Sequence, residues 1–318
     1  MSDPSGFDVL TIGRVGVDFY PTTPGSIVDV EHFDKFLGGS PTNVAVAAAR
    51  LGERSAVITR TGPDPFGAYV HAALRGFGVD DRFVSDVVGF QTPVTFCETF
   101  PPDHFPIYFY RAPKAPDLEI HPEELDLAAI AAARLFWATV SGLSAEPSRT
   151  ATMAALGARE RRAVTVLDLD YRPSFWSSPA DARDAARAAL SLATVAVGNI
   201  DEVDVATGLR DPDDAADSLL DLGLELAVVK LGPGGVLAKT HDERVESPPV
   251  AVEVVNGLGA GDAFGGALCH GLLAGWALTD TLHFANAAGA IVASRLACSA
   301  AMPTTDEVND LLQGANRE

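Results

Sequence analysis

The chain has 318 residues, of which 47% are hydrophobic and 21% charged, a composition typical of a globular protein with one large α/β core. Its formal net charge of −20 argues against nucleic acid and anionic membrane as partners. No apolar run reaches the ~20 residues that a membrane helix needs, and the first residues form neither a basic nor an apolar region, so we expect a cytoplasmic protein.

The three cysteines, Cys97, Cys269 and Cys298, are odd in number, far apart and surrounded by apolar residues. They predict neither a disulfide framework nor a metal cluster, and they favour a reducing compartment. In a chain this acidic, an anionic ligand must be attracted by local basic groups. The few Arg and Lys residues beside glycine turns are therefore candidates for binding.

The first predicted element is an apolar strand at 7–12, followed by Gly13 and Gly16. This spacing is not the dinucleotide fingerprint, and no helical pattern follows it. Asp18 comes shortly afterwards. From the residues alone it is either a ligand-binding carboxylate or the start of an Asx turn before Pro21.

A glycine pair, Gly38-Gly39, precedes an Ala-rich helix predicted at 40–52. Ser40 is expected to be its N-cap, and Gly52 ends it. Asn43 lies in the first turn, where it can either face a ligand above the glycine pair or bond to the local backbone.

A strand at 56–60 and a helix ending near Leu74 come next. Two runs of β-branched and aromatic residues, 92–100 and 105–111, flank a proline-rich tip and predict a hairpin. Arg111 stands at the end of the second run.

From residue 135 onwards, strands and helices alternate, which predicts a doubly wound, mostly parallel sheet. The predicted strands cover 135–140, 164–169, 194–198, 226–231 and 236–239. Ligands of such sheets bind at the carboxyl ends of the strands. The candidates at these ends are Asp168, Asp170, Arg172, Asn199, Glu202, Lys230, Gly232, Gly234 and Gly235.

The stretch that organises the chain is a predicted apolar strand at 250–255, a turn with glycine at 257, 259 and 261, and a helix at 262–273. Backbone amides at such a helix start form an anion hole, with phosphate as the expected ligand. A carboxylate beside it, Asp262, is suited to act as a base toward an incoming hydroxyl. The alternative is a tight turn in which Asp262 is an ordinary N-terminal helix residue.

The sequence Gly259-Ala260-Gly261-Asp262, followed by Ala263-Phe264 and small residues, resembles the signature of the ribokinase-like (PfkB) sugar kinases. The resemblance extends over nearly the whole chain. It implies a ribokinase-like fold in one domain over 1–318, with a small β lid whose strands lie roughly within 14–37 and 90–111. It implies an ATP-dependent transfer in which Asp262 is the base and the amides of Gly259, Ala260 and Gly261 stabilise the transferring phosphate.

The same resemblance assigns the other site residues. It implies that Asp18, Gly38, Gly39 and Asn43 bind the sugar. For the nucleotide it implies the turn Gly232–Gly235 with the adjacent Lys230, and Asn286 beside the adenine. The Asn199-x-x-Glu202 pattern implies Mg²⁺ held by Glu202, through water, beside the phosphates. From the residues alone, a capped helix with an acidic first turn explains that pattern equally well.

Further stretches resemble the members of the family that phosphorylate the C6 hydroxyl of acidic sugars. Among them are 101–106 and the pattern formed by Asp168, Arg172, Pro173 and Trp176. A carboxylate that approaches an acidic protein needs arginine, and Arg111 and Arg172 are available. We favour Arg111 for the substrate carboxylate, with Arg172 for the same group or for phosphate.

Potassium dependence stays open, because Asn256 and Leu258 stand where family members usually carry Asp and Thr. A homo-oligomer such as a dimer also stays open. Two other classes were weighed, a sugar or nucleotide sensor without turnover and an NAD-dependent dehydrogenase. The intact Gly-Ala-Gly-Asp disfavours the first, and the missing dinucleotide fingerprint disfavours the second.

Overall fold

The computed structural model describes residues 6–315. In chain order its strands are β1 (Val9–Ile12), β2 (Gly16–Pro21), β3 (Phe33–Gly38), β4 (Ser55–Thr61), β5 (Val84–Asp86), β6 (Val94–Cys97), β7 (Ile107–Tyr110), β8 (Leu135–Thr139), β9 (Val164–Asp168), β10 (Val195–Asn199), β11 (Leu226–Lys230), β12 (Val236–Lys239) and β13 (Arg244–Ser247). Its helices are α1 (Ser40–Arg50), α2 (Pro65–Gly76), α3 (Leu127–Ala132), α4 (Ser148–Ala158), α5 (Pro179–Leu190), α6 (Ile200–Thr207), α7 (Pro212–Asp221), α8 (Ala260–Ala274), α9 (Leu278–Ala293) and α10 (Thr305–Ala315).

Within the described residues, nine strands form one large sheet in the order β13-β12-β11-β10-β9-β8-β1-β4-β5. The strands from β11 to β5 are parallel to one another, while β12 and β13 are added antiparallel at one edge. Strands such as β1 and β8 are buried along their whole length, as expected where helices cover both faces. The predicted doubly wound α/β fold is confirmed.

Successive side chains of the parallel strands enter two different cores. Leu10 and Phe136 pack with α3 to α7 on one face, whereas Val9 and Trp137 pack with α1, α8, α9 and α10 on the other. This is the two-residue period of a pleated strand. Because helices cover both faces of the sheet, the side chains on both faces of these strands are mostly apolar. This explains the hydrophobic runs in the sequence.

A second sheet of four strands, in the order β3-β2-β6-β7, forms the lid. β6 and β7 are antiparallel partners, as the hairpin prediction requires. Phe19 of β2 stacks on Phe96 of β6 with 4.9 Å between ring centroids, and Phe33 of β3 packs edge-on against the same ring. These aromatic contacts hold the small sheet together, since they provide apolar burial that four short strands would otherwise lack.

Two local predictions are wrong. The chain forms no strand at 250–255; Pro248 and Pro249 precede this segment and cannot donate to a ladder. The amides of Val255 and Asn256 instead donate to the carbonyl of Ala293, at the end of α9. The second error concerns the N-cap of α1.

The N-cap of α1 is Gly39 rather than Ser40. Gly39 has φ of +102°, and a Cβ there would lie 2.4 Å from the carbonyl oxygen of Arg14, so only glycine fits. The Ser40 hydroxyl makes no cap and donates to Asp262 instead. In the described part of the chain, no helix is long and apolar enough to cross a membrane.

Candidate active site

A cleft lies between the lid sheet and the carboxyl ends of the large sheet. Most of the residues predicted to meet the substrate line it. They are Asp18, Gly39, Asn43, Arg111, Arg172, Gly259 and Asp262. The cleft is also lined by Arg14, which the sequence analysis did not single out.

Asp262 sits in the first turn of α8, and both of its carboxylate oxygens are held by α1. The Ser40 hydroxyl donates to Oδ1 and the Asn43 amide nitrogen donates to Oδ2, both at 2.7 Å. Burial raises the pKa of the Asp262 carboxyl, while the hydrogen bonds from Asn43 and Ser40 act to lower it. The result is a fixed carboxylate with a raised pKa, which is the condition a general base requires.

The turn before α8 lies where the anion hole is predicted. Gly259 has φ of +84°, and a Cβ on it would lie 2.6 Å from the sulfur of Cys298, so the close packing requires glycine. Among the described residues, the amides of Ala260 and Gly261 donate to no backbone carbonyl. They are free helix N-terminal donors at the positive end of a 15-residue helix.

Lys230 adds a positive charge to this turn. A Cβ on Gly261 would lie 3.3 Å from Lys230 Nζ, which shows how closely the ammonium approaches the amides. Burial acts to lower the pKa of Lys230, but the carboxylates of Asp168, Glu202 and Asp262 raise it, and the net shift is upward. Lys230 is thus held in its charged form beside the anion hole.

Asp18 lies in the middle of lid strand β2, not in an Asx turn. Its carboxylate rests on Gly38, where an added Cβ would be only 2.0 Å from Oδ2, so the glycine makes room for it. Burial raises the pKa of Asp18 to about 6, although Thr95 and Arg14 act in the opposite direction. A buried carboxyl that lines the cleft is suited to bind substrate hydroxyls.

Three arginines surround the cleft, each held by a buried carboxylate. Arg111 makes a bidentate pair with Asp117 at 3.0 and 2.5 Å. Arg14 Nη2 donates to Asp170 Oδ2 at 2.8 Å, and Arg172 Nη2 lies 2.9 Å from Asp170 Oδ1. Burial disfavours the charged form of Asp170, but Arg14 and Arg172 keep its pKa below the ordinary value.

Arg14 was missed because its partners come from remote parts of the chain, Ser141 and Asp170 being 127 and 156 positions away. One signal was available. Arg14 follows Gly13, which ends a strand that was predicted to lie in the sheet, and basic residues of this acidic chain were expected to matter beside glycine turns.

The remaining predicted residues form a second group, outside the lining of the cleft. Asn199 and Lys230 are directly paired across β10 and β11, at the carboxyl ends of these strands. Glu202 Oε2 accepts the Asn199 amide at 2.8 Å while the Asn199 side chain caps α6. The capped-helix interpretation of Asn-x-x-Glu therefore holds. It leaves the other Glu202 oxygen available for a second role.

Asn286 and the Gly232–Gly235 turn meet at Ser247. Asn286 Nδ2 donates to the Ser247 hydroxyl at 3.0 Å and to the Pro248 carbonyl at 2.9 Å. Gly235 has φ of +86°, and a Cβ there would lie 2.2 Å from the Ser247 carbonyl oxygen. The turn joins β11 and β12, which are antiparallel, so it is also the hairpin that the sequence left as the alternative.

Asn256 is fully buried, and both ends of its amide are used. Nδ2 donates to the Leu296 carbonyl at 2.6 Å, while Oδ1 accepts the Leu258 amide at 3.1 Å. The first bond ties the loop before α8 to the segment after α9, and the second lies within the loop itself. They also identify which end of the side chain is the nitrogen, because one contact is a carbonyl and the other an N–H.

Comparison with known proteins points in one direction. The profile of the pfkB family carbohydrate kinases matches residues 7–305. The chain is 36% identical over 315 residues to the 5-dehydro-2-deoxygluconokinase of Photobacterium profundum, covering 96% of this chain and 95% of that protein. It is 30% identical over 320 residues to the protein of the same name from Clostridium perfringens, with 98% and 94% covered.

Solved structures agree with the fold. A putative ribokinase II from E. coli, in complex with ATP and Mg²⁺, superposes with a TM-score of 0.88 at 24% identity, covering 97% of this chain and 99% of that one. A double mutant of the fructokinase from Vibrio cholerae O395, in a form that holds fructose, ADP and potassium, gives 0.84 at 26% identity, with 98% and 100% covered.

Proposed function

The chain belongs to the pfkB family of carbohydrate kinases, and we propose that it transfers the γ-phosphate of ATP to the C6 hydroxyl of a sugar acid. The proposed substrate is 5-dehydro-2-deoxy-D-gluconate, converted to its 6-phosphate in myo-inositol catabolism. The names of the curated relatives support this choice. The observation that carries it is the set of three arginines around a cleft that also contains Asp262.

In this proposal Asp262 accepts the proton of the C6 hydroxyl as its oxygen attacks the γ-phosphorus. Ser40 and Asn43 orient the carboxylate through their hydrogen bonds. The free amides of Ala260 and Gly261, together with Lys230, stabilise negative charge on the transferring group. Asp18 binds substrate hydroxyls from the lid side, and closure of the lid keeps water from competing as acceptor.

ATP is proposed to lie along the Gly232–Gly235 turn with its base near Asn286, and its phosphates reach the turn before α8. Within residues 6–315, no group of three His, Cys, Asp or Glu side chains is placed to hold a metal. A site with a single carboxylate, that of Glu202, fits Mg²⁺, which is usually held by one or two carboxylates, water and substrate phosphates. Glu202 and Asn199 would hold it through water, and bound there it would neutralise phosphate charge.

The loop at Asn256 does not fit a monovalent cation in the same way. The Asn256 amide nitrogen already satisfies the Leu296 carbonyl, and this residue contributes no formal charge. Potassium therefore enters no step of the proposed mechanism.

A coupled assay of ADP release tests the proposal. The panel contains 5-dehydro-2-deoxygluconate, 2-dehydro-3-deoxygluconate, neutral hexoses, ribose and adenosine. We expect the highest kcat/KM with 5-dehydro-2-deoxygluconate. Preference for 2-dehydro-3-deoxygluconate would keep the acid-sugar class and change the substrate. Preference for a neutral sugar or nucleoside would overturn the acid-sugar assignment, and sugar binding without turnover would indicate a sensor.

A further inference from the structure

The arginines around the cleft carry one more charge than their carboxylate partners balance. Three guanidinium groups, of Arg14, Arg111 and Arg172, share two carboxylates, Asp117 and Asp170. Arg111 and Asp117 form one balanced pair. The unbalanced positive charge therefore belongs to Arg14 and Arg172, which share Asp170. Asp18 and Asp262 also line the cleft, so the cleft as a whole is not positive, and the imbalance is confined to the ion pairs that Arg14 and Arg172 make with Asp170.

The hydrogen bonds distinguish Arg14 from Arg111. Each terminal nitrogen of Arg111 donates one hydrogen bond to Asp117, which is 1% exposed. Arg14 uses Nε for the Ser141 hydroxyl at 3.0 Å and Nη2 for Asp170 at 2.8 Å. Its Nη1 meets no hydrogen-bond acceptor among residues 6–315. Arg14 itself is 94% buried and lines the cleft, so Nη1 is an unpaired donor at the wall of the cleft on a side chain with little exposure to solvent.

The surroundings fix this guanidinium in place. Its central carbon lies 5.8 Å from the ring centroid of Phe109 and 5.4 Å from that of Phe175. The two rings and the two hydrogen bonds limit its motion, so a ligand that accepts from Nη1 loses little freedom of the protein side chain. Arg172 is the more exposed member of the pair, with 37% of its side chain exposed, although its buried Nε has no hydrogen-bond partner among the described residues.

We propose that Arg14 is the specificity-determining residue for the substrate, and that it binds the carboxylate of the sugar acid through Nη1. Arg172 strengthens the field from the other side of Asp170. Arg111, which the sequence favoured for this role, instead holds the end of β7 against Asp117. This inference rests on the proposed function, because it takes the substrate to be an acid.

The test compares two matched variants, Arg14→Gln and Arg111→Gln, on two substrates. The substrates are the sugar acid and its neutral congener, in which the carboxylate is reduced to a primary alcohol. A charged hydrogen bond to a carboxylate is worth about tenfold to a hundredfold in affinity. We expect Arg14→Gln to raise KM for the acid by about this factor and to leave KM for the neutral congener and for ATP within about twofold.

Arg111→Gln is expected to leave the ratio of the two KM values near that of the wild type. The ratio compared is KM for the neutral congener divided by KM for the acid. If this ratio is unchanged in Arg14→Gln, or falls only in Arg111→Gln, the role of Arg14 is overturned. A wild type that prefers the neutral congener would overturn the proposed function itself, so the two failures are distinct.

Removal of Arg14 could also prevent folding, because it leaves Asp170 with one partner fewer. Arg14→Lys keeps a positive charge beside Asp170, but one ammonium cannot serve Ser141, Asp170 and the substrate with the geometry of a guanidinium. We expect a KM for the acid at least about fivefold higher, with the neutral congener unaffected. A wild-type ratio in Arg14→Lys would also overturn the proposal.

Discussion

The Asn43 amide nitrogen donates to Oδ2 of Asp262 at 2.7 Å, across 219 positions of sequence. Asn43 Oδ1 in turn accepts the Ser299 hydroxyl at 2.6 Å. The sequence resemblance assigned Asn43 to the sugar. Its main contacts are with the proposed base and with the segment after α9, so we propose that it also positions Asp262.

The first prediction concerns the base. Asp262→Asn keeps the size of the side chain and one acceptor oxygen but cannot take a proton, and we expect kcat to fall by ~10²–10⁴, the usual effect of losing a general base. The KM for ATP should stay nearly constant. The control is Asp80→Asn, which removes a carboxylate from an exposed ion pair with Arg82. A decrease of less than tenfold in Asp262→Asn would mean that another group is the base.

The second prediction follows from the pKa of Asp262. The hydrogen bonds from Asn43 and Ser40 lower this pKa, so their removal must raise it further. A base is active when deprotonated, and the acidic limb of the kcat–pH profile should therefore move to higher pH in Asn43→Ala. Ser299→Ala, which loses only the contact behind Asn43, should shift the limb less. A limb that stays in place would show that Asn43 does not act on the base.

The third prediction concerns Asp18 and stability. The pKa of Asp18 is raised from 3.8 to about 6, so the folded chain binds more protons than the unfolded chain between these values. The contribution of Asp18 to the free energy of unfolding must then fall as pH rises through this window, by about 3 kcal/mol at 1.36 kcal/mol per pH unit. We expect unliganded Asp18→Asn to lose this dependence and to be more stable than the wild type at pH 7.5, with a raised KM for the sugar.

Urea unfolding at pH 4.5 and 7.5 measures this difference. Asp8→Asn is a control of opposite sign, because Arg54 lowers the pKa of Asp8 to about 2. That carboxylate stabilises the fold above the unfolded value of 3.8, and its loss should destabilise the protein at pH 7.5. If Asp18→Asn were less stable than the wild type at pH 7.5, burial of the Asp18 carboxylate would not destabilise the wild-type fold.

The fold could be predicted from the sequence because central parallel strands such as β8, β10 and β11 are largely apolar runs with a polar residue at the carboxyl end. The residues at those ends, such as Asn199 and Lys230, are adjacent as expected. The pairing of Arg14 with Asp170 could not be predicted, since nothing local in either segment specifies it. The hydrogen bond from Ser40 to Asp262, in another helix, could not be predicted either, because Ser40 stands where an N-cap is expected.

The last prediction concerns potassium. Because Asn256 Nδ2 donates to the Leu296 carbonyl, this loop is already closed by an N–H group, and no cation is needed to join the two oxygen-bearing groups. We expect the melting temperature and kcat of the wild type to be nearly the same in potassium and tetramethylammonium salts.

Asn256→Asp should behave differently. It places a carboxylate oxygen where the nitrogen lay, 2.6 Å from a carbonyl oxygen, and the two repel unless a cation lies between them. This variant should be less stable in tetramethylammonium and should recover stability and activity with potassium, whereas Asn256→Ala should lose stability equally in both salts. A wild type that melts at a markedly higher temperature in potassium would show instead that the amide and the backbone carbonyls together bind the ion.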